Sequence, residues 1–498
     1  MLVNVSMLLP AVVLMPGLFA LVAALLAGRR YRWLGHAGAF VAGAGFLMAC
    51  VLAVLAGRGM VIDRVAAVLL LLVFGVSTVV QAFAIRYLAG DPQAGRFTSG
   101  ASLLTSASAG MVTATTLPGL AVGWTLAGIA LCLLLGMYWH LPAARDGVRR
   151  TAIAFLIGDL ALWGAVLIVT TRWGVSDLRA LADESISGPL VPVVGCLAVV
   201  AALSRSAQVP FHKWLPATLA APTPVSALLH AGVVNAGGIL LLRLAPLVSG
   251  DVARALTIVA GATTLVYGAV IMLVKPDVKG ALANSTMAQM GFMILTGGLG
   301  LWAATIFHLV AHGFYKATLF LSSGSAIAQR RRAASHPLPP VVTRRRRLLN
   351  AALAAILPGV ALYAATLIVP MSAGAQHAEQ ALLIFAWVTG AAVTWGWLGR
   401  RSGPAGLVTI VAVLPAAAVI YLGLVSAATH YLAAALPAAT PSAALSWPVL
   451  AAVATTLAAV AAVRWSPETS LHRAIYARAL SAGYITSALP AQRKGAHS

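Results

Sequence analysis

Acidic residues are scarce in this 498-residue chain, which has 11 Asp and Glu against 33 Lys and Arg. Charged residues of both signs make up only 9% of it, while 61% is hydrophobic and the mean hydropathy is +0.94. That balance excludes a soluble enzyme of this length and implies a polytopic membrane protein. Three cysteines (Cys50, Cys132, Cys196) lie singly in apolar runs without metal-ligand spacing and read as small core residues. The first apolar segment, residues 5–27, has neither a basic stretch before it nor a small-residue cleavage site after it, so it reads as a first membrane span rather than a signal peptide. Lysine is missing from residues 348–474.

What is abundant is apolar length. A span needs about 20 apolar residues. Such runs fall near 5–27, 36–56, 65–86, 98–117, 119–140, 151–170, 189–204, 226–248, 252–274, 280–300, 301–328, 348–371, 380–399, 404–428 and 443–463, so the expected fold is all-α with about 15 transmembrane helices. The net charge of +22 would suggest nucleic acid in a soluble chain. Here the basic residues cluster in loops after odd-numbered spans: Arg29, Arg30 and Arg32; Arg145, Arg149 and Arg150; Lys275 and Lys279; Arg330 to Arg332 and Arg344 to Arg347; Arg400 and Arg401. The loops after even-numbered spans are nearly neutral; that after the sixth sets Arg172 and Arg179 against Asp177, Asp183 and Glu184. This asymmetry predicts an outward N-terminus and a cytoplasmic C-terminus, with no nucleic-acid partner.

The expected organisation is N-terminal helices over 1–97, a charged core over 98–330, a basic cytoplasmic loop over 331–347, C-terminal helices over 348–467 and a tail over 468–498, of which 468–489 can form an amphipathic helix at the membrane surface or against a partner.

The stretch Ser204 to His230 stands out. It carries Arg205, His212, Lys213 and His230 with four prolines, Pro210, Pro216, Pro222 and Pro224. Proline removes an amide donor and clashes with the preceding turn, so a straight helix cannot cross here. Broken backbone at membrane depth survives where protein buries it or a wet cavity receives its polar groups, and ionisable side chains there mark ion or proton paths by default. The stretch reads as a discontinuous helix beside a hydrated, charged channel.

A second constellation is HLVAHGFYK, in which His308, His312 and Lys316 recur every four residues and share one helical face. Such a histidine can be a satisfied core residue, and HxxxH can bind zinc. Three titratable groups on one stripe favour a proton relay, since imidazole titrates near neutrality and a buried lysine shifts readily. Asp159, inside the sixth span, is either a packing residue bonded to a hydroxyl or the partner of a cation, with Arg205 and Lys213 the candidates. Asp277, at a helix start, reads foremost as a cap. Arg243 reads as a structural, snorkelling residue.

Several long strings, SAQVPFHKWLP and APTPVSALLHAG, KPDVKGALANSTMAQMGFM, FHLVAHGFYKATLFLSSGS, YLAGDPQAGRF (87–97) and IGDLAL (157–162), resemble the antiporter-like membrane subunits of respiratory complex I and of Mrp-type cation/proton antiporters. The resemblance is strong over about residues 85–330. It implies two inverted five-helix repeats, each with a broken helix, around a chain of charged residues that translocates protons. By position it implies relay roles for His230, His308, His312, Lys316 and Asp159, with Lys213 and Arg205 beside them and Asp277 and Lys279 as secondary members.

Departures from the pattern are specific. The family's glutamate after the fifth-span tryptophan is Thr125 here, following Trp124. Its lysine before SAQ is Arg205, which can hold a fixed charge but cannot shuttle a proton. A later lysine has no counterpart. Together with AHGFYKATLFLSSGS and the compact tail ETSLHRAIYARALSAGYITSAL (468–489), these departures resemble the DabB-type branch, the membrane subunits of DAB inorganic-carbon pumps. That branch implies an inner-membrane, cation-conducting subunit, with protons the expected cation. It energises CO2 hydration to bicarbonate by a DabA-like soluble zinc protein similar to carbonic anhydrase. Catalysis would lie in that partner, and this chain would need no cofactor or metal. A complex I or Mrp-type antiporter subunit is the alternative.

Overall fold

A computed structural model describes residues 5–27, 33–57, 62–183, 186–326, 343–370, 376–401, 403–437, 443–464 and 469–483. The basic stretches Arg29 to Arg32 and Arg330 to Arg332, Glu184, and the end of the tail lie outside the described residues. Among the described residues the chain is helical, with one isolated antiparallel bridge, Thr116 to Asp177. Ten helices are long and apolar enough to cross a membrane by length and composition, and Val191–Arg205 and Ser446–Ala459 are shorter apolar helices. Where described, the apolar runs expected from the sequence lie mostly on helix, the run at 226–248 being broken, and ten helices rather than fifteen have the length and composition of a span. The protein is therefore a multi-pass, all-α membrane protein.

Two compact units share the chain: residues 1–299, 309–327 and 451–498 form the first, and 300–308 with 328–450 the second. In the first, α1 (Val5–Leu26), α2 (Trp33–Leu55), α3 (Arg64–Tyr87) and α4 (Ala94–Thr113) pack as neighbours. Hydroxyls stitch α4 to α1, where Ser99 Oγ donates to the Ala20 carbonyl at 2.8 Å and Ser106 Oγ to that of Val13 at 2.6 Å. Lipid gives no hydrophobic drive between helices, so small residues and such bonds hold them together. Leu18 and Leu25 on α1 and Phe40 on α2 are exposed, as residues facing acyl chains must be.

Next come α5 (Leu117–Leu135), α6 (Pro142–Trp173), the one-turn α7 (Ala180–Asp183) and α8 (Val191–Arg205). Thr116 caps α5 by accepting from the Gly119 amide, and α6 stops at Gly174, whose φ of 72° suits glycine. After α8 the backbone leaves regular helix, as the four prolines require. A 3₁₀ turn Phe211–Lys213, α9 (Trp214–Ala217) and a second 3₁₀ turn Thr218–Ala220 lead to α10 (Thr223–Ala231).

A further interruption separates α10 from α11 (Ala236–Arg243) through the 3₁₀ turn Val233–Asn235. Of an 18-residue window in this broken helix 94% is buried, against 22% for α1, so the break sits at the heart of its unit. The one-turn α12 (Ala245–Val248) follows, then α13 (Asp251–Val274) and α14 (Val278–Gly298), which pack along their length.

Helix α15 (Trp302–Leu321) contributes its first residues to the second unit and the remainder to the first. The second unit is built on α16 (Arg344–Ile368), α17 (Gln376–Arg400) and α18 (Pro404–Leu432), around Ala361, Leu362, Ala365, Ala418 and Leu422. Trp387 Nε1 donates to the Ala355 carbonyl at 2.7 Å and Tyr421 to that of Leu382 at 3.1 Å, tying α17 to both neighbours. After α19 (Ala443–Arg464), α20 (Ser470–Gly483) forms within the expected tail helix and packs on α13. There Lys275 Nζ donates to the Gly483 carbonyl at 2.5 Å and the Tyr267 hydroxyl to that of Ala482 at 3.2 Å.

Candidate ion-translocation site

Arg205, the last residue of α8, is wholly buried, and every feature around it accommodates a cation. Its Nη2 donates to Asp159 Oδ1 at 2.8 Å and its Nη1 to the Trp124 carbonyl at 3.0 Å. The guanidinium carbon lies 4.3 Å from the Trp124 ring centre and 4.1 Å from that of Phe155. Trp124 Nε1 also donates to Asp159 Oδ1, at 2.8 Å, so one carboxylate oxygen serves both. A Cβ on Gly128 would lie 3.0 Å from Arg205 Nη2, so the guanidinium lies close against α5 where that residue is glycine. A paired, hydrogen-bonded and ring-stacked arginine meets the conditions under which a charge can stay buried. Of the two cations considered for Asp159, Arg205 is the partner. Lys213 is exposed in the turn before α9, and its neighbour His212 packs edge-on against Tyr267 at 4.8 Å.

Lys316 is also wholly buried, on α15. Its ammonium donates to Ser285 Oγ on α14 at 2.8 Å and lies 3.5 Å from the Leu282 carbonyl. Among the described residues no carboxylate forms an ion pair with it. One turn before it His312 is buried at 3% exposure, and one turn earlier still His308, at 4%, meets Phe385 edge-on at 4.9 Å within the second unit. The stripe of three is thus buried along one helix.

His230, at the end of α10, stacks on Phe320 with ring centres 4.2 Å apart and 12° between planes, and its Nδ1 has no hydrogen-bond partner in the chain. Phe320 is four residues past Lys316 on the same helix, α15. Hence His230 stands beside the Lys316 end of the stripe. Lys279 Nζ donates to the Ala221 carbonyl at 3.1 Å, on the broken segment. Asp277 caps α14, Oδ1 accepting from the Gly280 amide at 2.5 Å.

The structure therefore assembles Arg205 with Asp159 and, separately, brings His230 beside the Lys316 end of the stripe, while Lys279 is bonded to the broken segment. Sequence reasoning passed over a third buried set, Ser77 and Gln81 on α3 with Ser102 and Thr105 on α4. Their spacings of four and three, each a helical repeat, were the available signal. It also passed over the partner of Arg243, whose Nη1 donates to Asp63 Oδ2 at 2.7 Å and Nη2 to the Val112 carbonyl at 2.8 Å.

Comparison with known proteins agrees with this architecture. Residues 114–336 match the family described as NADH:quinone oxidoreductase/Mrp antiporter, TM, and residues 56–98 match NADH-Ubiquinone oxidoreductase (complex I), chain 5 N-terminus. The chain is 34% identical over 353 residues to the probable inorganic carbon transporter subunit DabB1 of Halothiobacillus neapolitanus, an alignment covering 67% of this chain and 63% of that protein. It is 35% identical over 275 residues to NADH-quinone oxidoreductase subunit L of Mycobacterium tuberculosis, covering 54% of this chain and 43% of that one. The chain thus spans under two thirds of the length of either relative. The solved structure of the Mrp complex from Dietzia sp. DQ12-45-1b shares the fold, with a TM-score of 0.66 at 24% identity over 95% of this chain and 59% of the matched one. The chain belongs to the NADH:quinone oxidoreductase and Mrp antiporter family as a multi-pass, antiporter-like membrane protein with likeness to DabB.

Proposed function

We propose that this chain is the cation-conducting, energy-coupling subunit of an inorganic-carbon accumulation complex, that the cation is the proton, and that a DabA-like soluble zinc protein is its partner. The observation that carries the reading is the wholly buried Lys316 ammonium, held by a serine hydroxyl and a carbonyl instead of a carboxylate. A lysine so placed can gain and lose its proton, whereas a tight ion pair would fix it. His312, His308 and His230 are the other stations of the relay. Arg205 on Asp159 supplies a fixed positive charge, with Lys213, Lys279 and Asp277 peripheral. The inorganic-carbon role rests on the DabB1 relative, whose alignment covers more of this chain than that with subunit L, 67% against 54%. Thr125 after Trp124 and the absence of lysine from 348–474 favour it too. The orientation is N-terminus outward and C-terminus cytoplasmic in the inner membrane, as the basic loops indicate. Catalysis resides in the partner.

The test is purification of the tagged chain from its native membrane, with mass spectrometry of what accompanies it. A soluble zinc protein with carbonic anhydrase-like ligands is the expected companion. A set of quinone oxidoreductase or antiporter subunits in its place would overturn the reading.

A further inference from the structure

Between α3 and α4 runs a seam of polar side chains that no charged residue explains. Gln81 Nε2 donates to Ser77 Oγ at 3.0 Å, and Ser77 Oγ meets Thr105 Oγ1 at 2.7 Å. Thr105 donates its own proton to the Ala101 carbonyl at 2.7 Å, so the Ser77 hydroxyl must be the donor to Thr105. All three side chains are at most 3% exposed. Gln81 Oε1 and, beside the seam, Ser102 Oγ find no hydrogen-bond partner in the chain. Leaving a buried polar atom unpaired is costly, so a seam of this kind needs water or a role.

The seam joins two spaces. On one side a recess of about 540 Å³ is lined by Gln81 and Thr98 with His36 and Asp91, towards the end of α3 that carries Arg86. On the other a cavity of about 50 Å³ is lined by Ser77, Thr105 and Ser108 with Arg205 and Asn235. Room for a single water takes roughly 10–15 Å³ in this measure, and polar partners are required. The cavity offers both, since Asn235 Oδ1 and Arg205 Nε have no partner in the chain. Among the described residues, Gln81 alone lines the recess and bonds directly to a residue lining the cavity.

We propose that Gln81, Ser77 and Thr105 form a gated water passage from this recess to the Arg205 cavity, with Gln81 as the gate. An amide is a poor proton carrier, so the side chain must swing aside for water to enter. The far wall is Gly38 of α2, where a Cβ would lie 2.5 Å from Gln81 Oε1. A larger residue there would hold the gate in another position. Water admitted by this route reaches Arg205 in the cavity that Gly232, Val233 and Asn235 at the second break also line. That its flow serves conduction rests on the function proposed above; the existence of the passage does not.

The experiment uses the full chain in its native membrane, carrying Thr105→Cys or, should that variant not fold, Ser108→Cys. The probe is Ag⁺, small and confined to water, read as protection of the new thiol from later alkylation after denaturation and measured by mass spectrometry. Protection should run at least tenfold faster with Gln81→Ala and at least tenfold slower with Gln81→Leu than with native Gln81. Gly38→Ala should also change the rate. Equal rates across all residues at position 81, or a thiol that Ag⁺ never reaches, would overturn the proposal and leave the seam as packing. Where the rate follows residue 81 although the native chain passes no cation, the passage stands and the conducting role falls.

Discussion

Lys316 on α15 and Ser285 on α14 face one another at 2.8 Å, with the ammonium wholly buried and, among the described residues, no acidic side chain in an ion pair with it. A hydroxyl can accept from the ammonium and, by donating, bond to the neutral amine as well. The contact therefore tolerates a change of protonation that a carboxylate would oppose. Lys316→Met, which keeps the length and loses the charge, is expected to abolish cation-coupled uptake while the assembled complex still purifies from the membrane. Ser285→Ala should leave assembly intact and reduce uptake less, because the Leu282 carbonyl is near. Unchanged uptake by Lys316→Met would remove Lys316 from the path.

Arg205 and Asp159 form a relationship of the opposite kind. The guanidinium is used at both terminal nitrogens, on both faces and at full burial, so the pair holds charge and geometry together. Arg205→Ala strands Asp159, whose side chain retains 16% exposure, and removal of one partner of a buried pair costs about 3–5 kcal/mol. Detergent-solubilised Arg205→Ala should thus unfold at markedly lower temperature. Arg205→Lys restores the charge but neither the fork nor the ring stacking, and should fall between the two. The double variant Arg205→Ala with Asp159→Asn should recover part of the loss. A Lys variant no more stable than the Ala variant would mean that the fork, rather than the charge, is what the site requires.

How much of this could be read in advance differs from residue to residue. The break after Arg205 was legible because four prolines state it outright. The second break, at Val233–Asn235, carries no proline and went unread; the preceding Gly232 is a weak signal on its own. His308, His312 and Lys316 were legible because spacing of four is a local property of one helix. Which cation meets Asp159 was not, since that depends on how the turns after Arg205 direct Lys213 outward. The Gln81–Ser77–Thr105 seam was passed over for a related reason. Isolated hydroxyls and amides occur throughout apolar spans, and only the packing of α3 on α4 shows that these few meet.

Ala207 lies just past α8 with φ at 51°, a left-handed conformation that residues with a Cβ adopt at a cost of roughly 1 kcal/mol or more. It is wholly buried where the broken segment begins. Ala207→Gly should relieve the strain and raise thermal stability slightly, and Ala207→Val, with a branched Cβ, should lower it by more than a neighbouring conservative change. The comparison is made by melting of the detergent-solubilised protein. Destabilisation by glycine would show that the methyl's packing outweighs the backbone cost.

Asp63 serves two elements at once. Its Oδ1 accepts from the Ala66 amide at 2.7 Å to cap α3, and its Oδ2 accepts from Arg243 at 2.7 Å, which fixes the end of α11. Arg243 bonds in turn to the Val112 carbonyl at the end of α4. The carboxylate is partly exposed, so the ion pair contributes little by itself, while loss of an N-cap costs about 1 kcal/mol. Asp63→Asn keeps a capping oxygen and removes the charge; Asp63→Ala removes both. The expected order of melting temperature is native, then Asn, then Ala, with Asn nearer the native protein. Raised salt should narrow the gap between native and Asn and leave that between Asn and Ala unchanged, because screening acts on the ion pair and far less on the cap. If Asn and Ala melt together, the cap contributes nothing measurable and the link to Arg243 is what orders the three helix ends.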